Sequence, residues 1–161
     1  MEFASAGDNS RVSSPRLAFL VMDPQALASA VNLEIRGHLP GHLGIVFDEI
    51  GADRAVAHLP VISVLMATNG FLHAGAVTTL ADTVCATACQ QSLPPEASNF
   101  TTIELKSNFV GTVSEGVVCC EGTRVHGGRT TQVWDAVVTD QSSGRTLALF
   151  RATQLILFPR N

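Results

Sequence analysis

Apolar and polar positions along the chain fall into two rhythms. From Leu43, the run LGIVFDEIGADRAVAHLPV sets β-branched residues ahead of a Gly-Ala-Asp-Arg turn and alternation after it, which predicts a strand hairpin. Between Gly75 and Ser92 the side chains are small or apolar at most positions and proline is absent, and Pro94-Pro95 closes the segment. That spacing predicts a helix of about five turns, about 27 Å long. Apolar on all sides, such a helix must be wrapped by other structure. Four strand-like runs follow, Phe100 to Phe109, Gly116 to His126, Thr130 to Thr139 and Thr146 to Phe158. Turns at Gly127-Gly128 and Ser143-Gly144 separate the last three, which favours antiparallel hairpins. Ahead of all this, Pro24 to Leu33 predicts a minor helix, and Pro40 ends whatever follows it. A hairpin, one long helix and four long strands make an α+β layout in which a curved antiparallel sheet wraps the helix.

Length adds one constraint. The chain has 161 residues, enough for a single domain, expected over residues 17–161, with residues 1–16 as a mobile lead-in. The lead-in has no apolar run suited to a signal peptide, so a cytoplasmic location is expected. Residues 71 to 90 fall short of a membrane span, with Asp82, several threonines and two glutamines opposing insertion. Apolar residues are 46% of the chain and charged ones 15%, an excess that buried subunit interfaces would absorb. A net charge of -4 and scattered arginines argue against a nucleic-acid partner. Cys85 and Cys89 lie one helical turn apart and Cys119 and Cys120 are adjacent, so neither pair has metal or redox spacing. All four are expected as core fillers in a reducing compartment. The histidines His38, His42, His58 and His126 are scattered, and no metal is expected.

Candidate chemistry centres on GFLHAGAVTTLADTVCATAC, where Asp82 is the single charge in a run of small and apolar residues. A carboxylate inside a wrapped helix costs several kcal/mol unless it is paired, solvated or functional. It is either a structural hydrogen-bonding group or a reactive one. Ahead of it, Gly70 to Gly75 lead into the helix start, whose free N–H groups suit a developing oxyanion. A carboxylate near an oxyanion hole is a set of parts for hydrolysing an ester or thioester. Asp82 lies eight residues beyond Ala74, however, about 12 Å along the same helix. Antiparallel pairing of two such helices across a two-fold axis would set Asp82 of one subunit beside Ala74 of the other, which predicts a homodimer with shared sites.

The series GFLHAGAVTTLAD, FTTIELKSNF, GGRTTQVWDAVVTD and TLALFRATQLIL closely resembles the hotdog-fold acyl-CoA thioesterases of the phenylacetate-degradation and 4-hydroxybenzoyl-CoA type, over roughly residues 40 to 158. The resemblance implies a five- or six-stranded antiparallel sheet around a five-turn helix, side-by-side dimers and often a dimer of dimers. It implies an acyl-CoA substrate, with coenzyme A as part of that substrate and no separate cofactor. The family's catalytic carboxylate falls nine residues after the motif histidine, here Asp82 after His73, and its oxyanion donor is Ala74, with Gly75 as a second donor. Where the family commonly has Asn or Gln this chain has Ala67, so Asn69 is the expected substitute, and Thr102 stands where a Ser or Thr is frequent. Gly111-Thr112 replace the usual Arg-Pro. Gly128, Arg129 and Thr130 match the turn that grips nucleotide phosphates, or form a plain solvated turn. Arg124 and Arg151 are either helpers in binding or surface charges, and His73 either meets the leaving sulfur or anchors the helix entry. Trp134 alternates as a packing residue. A non-catalytic acyl-CoA-binding module is the alternative kept open by Ala67; a hydratase is disfavoured because its D-x-N-x-x-H motif does not occur.

Overall fold

A computed structural model describes residues 23–159, so the expected lead-in over residues 1–16 lies outside the described residues. The elements run α1 (Pro24–Glu34), α2 (Leu39–Leu43), β1 (Val46–Ile50), β2 (Arg54–Pro60), α3 (Ala74–Gln91), β3 (Asn99–Phe109), β4 (Val117–Gly127), β5 (Thr131–Asp140) and β6 (Thr146–Leu157). All six strands join in one antiparallel sheet of order β1-β2-β4-β5-β6-β3. The glycine turns make the β4–β5 and β5–β6 hairpins, as the sequence predicts. The strand β3 instead crosses the sheet and pairs with β6 alone, which leaves β1 and β3 as the two edges.

Strand alternation decides which side chains meet α3. On the inner face, Ala57 and Leu59 of β2, Val118 and Cys120 of β4, Trp134 and Val138 of β5 and Ala152 of β6 are fully buried against Leu80, Val84, Cys85 and Ala88 of the helix. Each of the larger side chains contributes about 1.5–3 kcal/mol by leaving water. The helix lies close to the sheet at Gly122 of β4, where a Cβ would come within 2.8 Å of Val84 Cγ1.

The sheet covers only one side of α3. Thr78, Thr79, Asp82, Thr83, Ala86 and Thr87 stay half-buried along the other side. Small and hydroxyl-bearing residues read as apolar in the sequence form a second, milder face. A correction concerns cysteine: Cys85, Cys89 and Cys120 are buried, but Cys119 is only half-buried, because consecutive strand residues point to opposite sides. Burial pushes the Cys89 and Cys120 thiols up to about 12, so both stay protonated.

The two edges differ. At β1, the Asn32 side chain donates to the Phe47 carbonyl at 2.9 Å and accepts from its N–H at 2.8 Å, so α1 blunts that edge. The edge of β3 carries exposed Ile103 and Leu105, 56% and 47% accessible, and is bonded on one side only. Among the described residues, no helix is long and apolar enough to cross a membrane.

Candidate active site

The entry to α3 is built by a tight loop. Met66 and Leu72 bridge, the Ala67 N–H donates to the Phe71 carbonyl at 2.8 Å, and Gly70 takes a left-handed φ of 84° that only glycine adopts without strain. Leu72 and His73 then donate their N–H groups to Val113 and Leu65 at 2.8 and 2.9 Å, which pins the helix start from two sides. His73 is the N-cap. Its Nδ1 accepts the Gly75 N–H at 2.8 Å, and its carbonyl accepts those of Ala76 and Val77 at 2.9 and 3.3 Å. A ring that accepts at Nδ1 carries its proton on Nε2. Of the first four helical N–H groups, which have no partner inside the helix, only that of Ala74 lacks an acceptor among the described residues. Gly75, expected as a second oxyanion donor, is occupied by His73, and His73 anchors the helix entry.

Ala74 opens onto a cavity of about 330 Å³. Its walls are Phe71, Leu72, Val77, Phe109, Val113 and Leu147, with Asn69 and Thr112 at the polar margin. Asn69 is exposed, and its Oδ1 accepts the Phe71 N–H at 3.3 Å, so it shapes the loop as well as bordering the cavity beside Ala67. An unbonded N–H at a helix start that borders such a cavity suits a carbonyl oxygen.

Asp82 does not border that cavity. It sits on the half-buried side of α3 against Thr102 of β3, with Oδ1 buried and without a hydrogen-bond partner. Burial raises its pKa above the ordinary carboxylate value, and the nearby Thr102 hydroxyl draws it partway back. Leaving such an oxygen unpaired costs about 1–3 kcal/mol. The same Thr102 hydroxyl lies 2.9 Å from Gln154 Oε1, its cross-strand neighbour on β6. Gln154 is 0% exposed, and its own neighbour on β5, Gln132, is 1% exposed. Gln132 Oε1 accepts from Trp134 Nε1 at 2.9 Å and from Ser92 Oγ at 3.1 Å, while its Nε2 donates to the Ser92 carbonyl at 3.1 Å. Sequence reasoning passed over both glutamines. Their signal was a polar residue at an inward position of an alternating strand, two before Trp134 and two after Ala152.

The expected phosphate-binding residues are spread out. Gly128, Arg129 and Thr130 form the β4–β5 turn, with the Gly128 N–H on the Thr131 carbonyl at 2.8 Å and the Thr130 carbonyl accepting from Ile156 at 2.8 Å. The Arg129 guanidinium lies over the Phe158 ring, 5.4 Å from its centre. Because Gln132 next to this turn bonds Ser92, the turn stands at the C-terminal end of α3, away from Ala74. Arg124 is paired with Asp53. Arg151 forks onto Asp135 at 2.5 and 2.7 Å on the outer face, so both are surface ion pairs.

Residues 69–147 match the thioesterase superfamily. A 1,4-dihydroxy-2-naphthoyl-CoA hydrolase of Escherichia coli is 32% identical over 128 residues, 80% of this chain and 93% of the relative. A Listeria monocytogenes enzyme of the same name is 27% identical, over 69% of this chain and 89% of the relative. Among solved structures, thioesterase PA1618 of Pseudomonas aeruginosa, 25% identical, superposes with a TM-score of 0.77 over 82% of this chain and 94% of its own. The PaaI protein of the Escherichia coli phenylacetic acid degradation operon, 21% identical, shares the fold at a TM-score of 0.72 over 83% and 94%. With the six-stranded sheet and the central helix, these likenesses identify the chain as a hotdog-fold thioester hydrolase belonging to the thioesterase superfamily.

Proposed function

We propose that the chain hydrolyses an acyl-CoA thioester to a carboxylic acid and free CoA, in a site that two copies complete. The observation that carries this reading is the division of parts along α3: Ala74, whose N–H has no acceptor among the described residues, lines the largely apolar cavity, and Asp82 stands about 12 Å further on, on the side the sheet leaves half covered. Two antiparallel helices crossing at Thr78 bring each Ala74 opposite the other chain's Asp82. Small residues at Gly75, Thr78 and Thr79 allow close approach there, and the unblunted β3 edge offers a continuous sheet between the same two chains. Pairing of two such dimers is the further assembly this family resemblance suggests.

The acyl carbonyl oxygen rests on the Ala74 N–H, and the Asp82 carboxylate either attacks the carbonyl carbon or takes a proton from the water that does. In the general-base course the tetrahedral intermediate collapses, the C–S bond breaks and the proton taken from water passes to the leaving thiolate; in the nucleophilic course the C–S bond breaks to leave an acyl-aspartyl anhydride, which water hydrolyses to the carboxylic acid and free Asp82 while one water proton goes to the thiolate. The CoA-thioester relatives support this substrate class, and the Phe71 and Phe109 walls suit an apolar or aromatic acyl group. Arg129, which stacks on Phe158 and has no carboxylate partner among the described residues, offers a guanidinium to CoA phosphate.

Thiol release from benzoyl-CoA and hexanoyl-CoA tests the reading. Asp82→Ala is expected to lower turnover at least about a hundredfold while light scattering shows the oligomer intact. A binding module, the reading favoured by Ala67 in place of an orienting amide, would instead show ligand-induced thermal stabilisation with no thiol released.

A further inference from the structure

A line of polar side chains crosses the otherwise apolar inner face of the sheet: Thr102 on β3, Gln154 on β6 and Gln132 on β5, each in register with the next. One end of the line meets Asp82. The other is locked, because Gln132 is bonded at both amide atoms by Ser92 and at its oxygen by Trp134 as well. Only the middle is unsettled. Gln154 Nε2 and Asp82 Oδ1 are both buried without partners, and the Thr102 hydroxyl neighbours both residues.

We infer that Gln154 is a positioning residue for the Asp82 carboxylate, acting through the Thr102 hydroxyl between them. Thr102 has one proton to donate. When it goes to Gln154 Oε1, the Asp82 oxygen and the Gln154 amide nitrogen are both stranded, an arrangement that suits a protonated carboxyl able to donate to Thr102 itself. A half-turn of the amide exchanges its oxygen and nitrogen within the same volume. Nε2 then donates to the Thr102 oxygen and the Thr102 proton turns to Asp82, so the carboxylate oxygen and the amide nitrogen gain partners and only the amide oxygen is left without one. That second arrangement suits the carboxylate. In the general-base course, Gln154 therefore turns as Asp82 takes a proton from water and returns it to the leaving thiolate. Around Asp82, Cys85 is the titratable neighbour on α3, while β3 and β6 offer Thr102 and Gln154, neither of which carries charge.

This inference rests on the catalytic reading of Asp82, and the experiment separates the two. Thiol release from benzoyl-CoA is followed against pH for the full-length protein, Thr102→Val, Gln154→Met, their double variant and Asp82→Asn. Gln154→Met is expected to lower kcat about tenfold with KM unchanged and to raise the acid limb of the kcat profile by about half a pH unit, because a weaker hydrogen bond favours the carboxylate less. In the Thr102→Val background it should add nothing, since its only route to Asp82 is gone. A Gln154→Met enzyme within about twofold of the native one, or a loss that multiplies with that of Thr102→Val, overturns the inference. If Asp82→Asn is inactive while Gln154→Met is native-like, only this inference fails; if Asp82→Asn stays active, the catalytic reading fails first. Should Met not be accepted at position 154, Gln154→Glu reads the same connection, and an acid limb that does not move overturns it.

Discussion

Ala74 is the residue whose backbone does what its side chain cannot. It is the first position of α3, preceded by His73 at ψ 133°, a conformation that a following proline accepts. Proline is also favoured at the first helical position and has no N–H. Ala74→Pro is therefore expected to fold as the native chain does and to lose about 10²–10³ in kcat, measured by thiol release beside a thermal melt. Asp82 yields a prediction of opposite sign for stability. Folding raises its pKa, so ionising it costs the folded chain more than the unfolded one. That cost is present above the folded pKa and absent below the unfolded value. Asp82→Asn should thus raise the melting temperature by about 2–4 °C near neutral pH and change it little at about pH 3. Unchanged melting at neutral pH would mean the carboxylate has found a partner in the assembled protein.

At the scale of elements, the fit between α3 and the sheet turns on Gly122. Gly122→Ala would drive a methyl against Val84, for an expected loss of about 1–3 kcal/mol in denaturant unfolding, partly recovered by Val84→Ala in the same chain. Strands and helix were legible from the sequence because alternation and the absence of proline are local signals, and so β4, β5 and β6 fall where the glycine turns put them. The position of β3 was not, since nothing in Asn99–Phe109 states that its partner is β6 and not its neighbour in sequence. The same reason hid Gln154: its meaning depends on standing beside Thr102, and register across two strands far apart in sequence cannot be read from either strand alone. The Ala74 and Asp82 spacing was legible, being counted along one helix, whereas the capture of the Gly75 N–H by His73 is a matter of one side-chain rotation.

For the whole molecule, sharing of parts between copies has a direct test. Asp82→Ala and Ala74→Pro chains, each inactive alone, are unfolded together and refolded. Random pairing should restore about a quarter of native activity, since half the dimers are mixed and each mixed dimer has one intact site. No recovery would place both groups within one chain's site. The sheet order carries one more consequence, which concerns time. As the chain is made, Asn99–Phe109 emerges well before Thr146–Leu157, the single strand it pairs with. Through that interval an eleven-residue segment bearing Ile103, Leu105 and Phe109 has neither edge satisfied. Synthesis rate and chaperone supply should therefore govern soluble yield more than the stability of the finished fold, and ribosomes stalled ahead of Thr146 should hold the most aggregation-prone form of the chain.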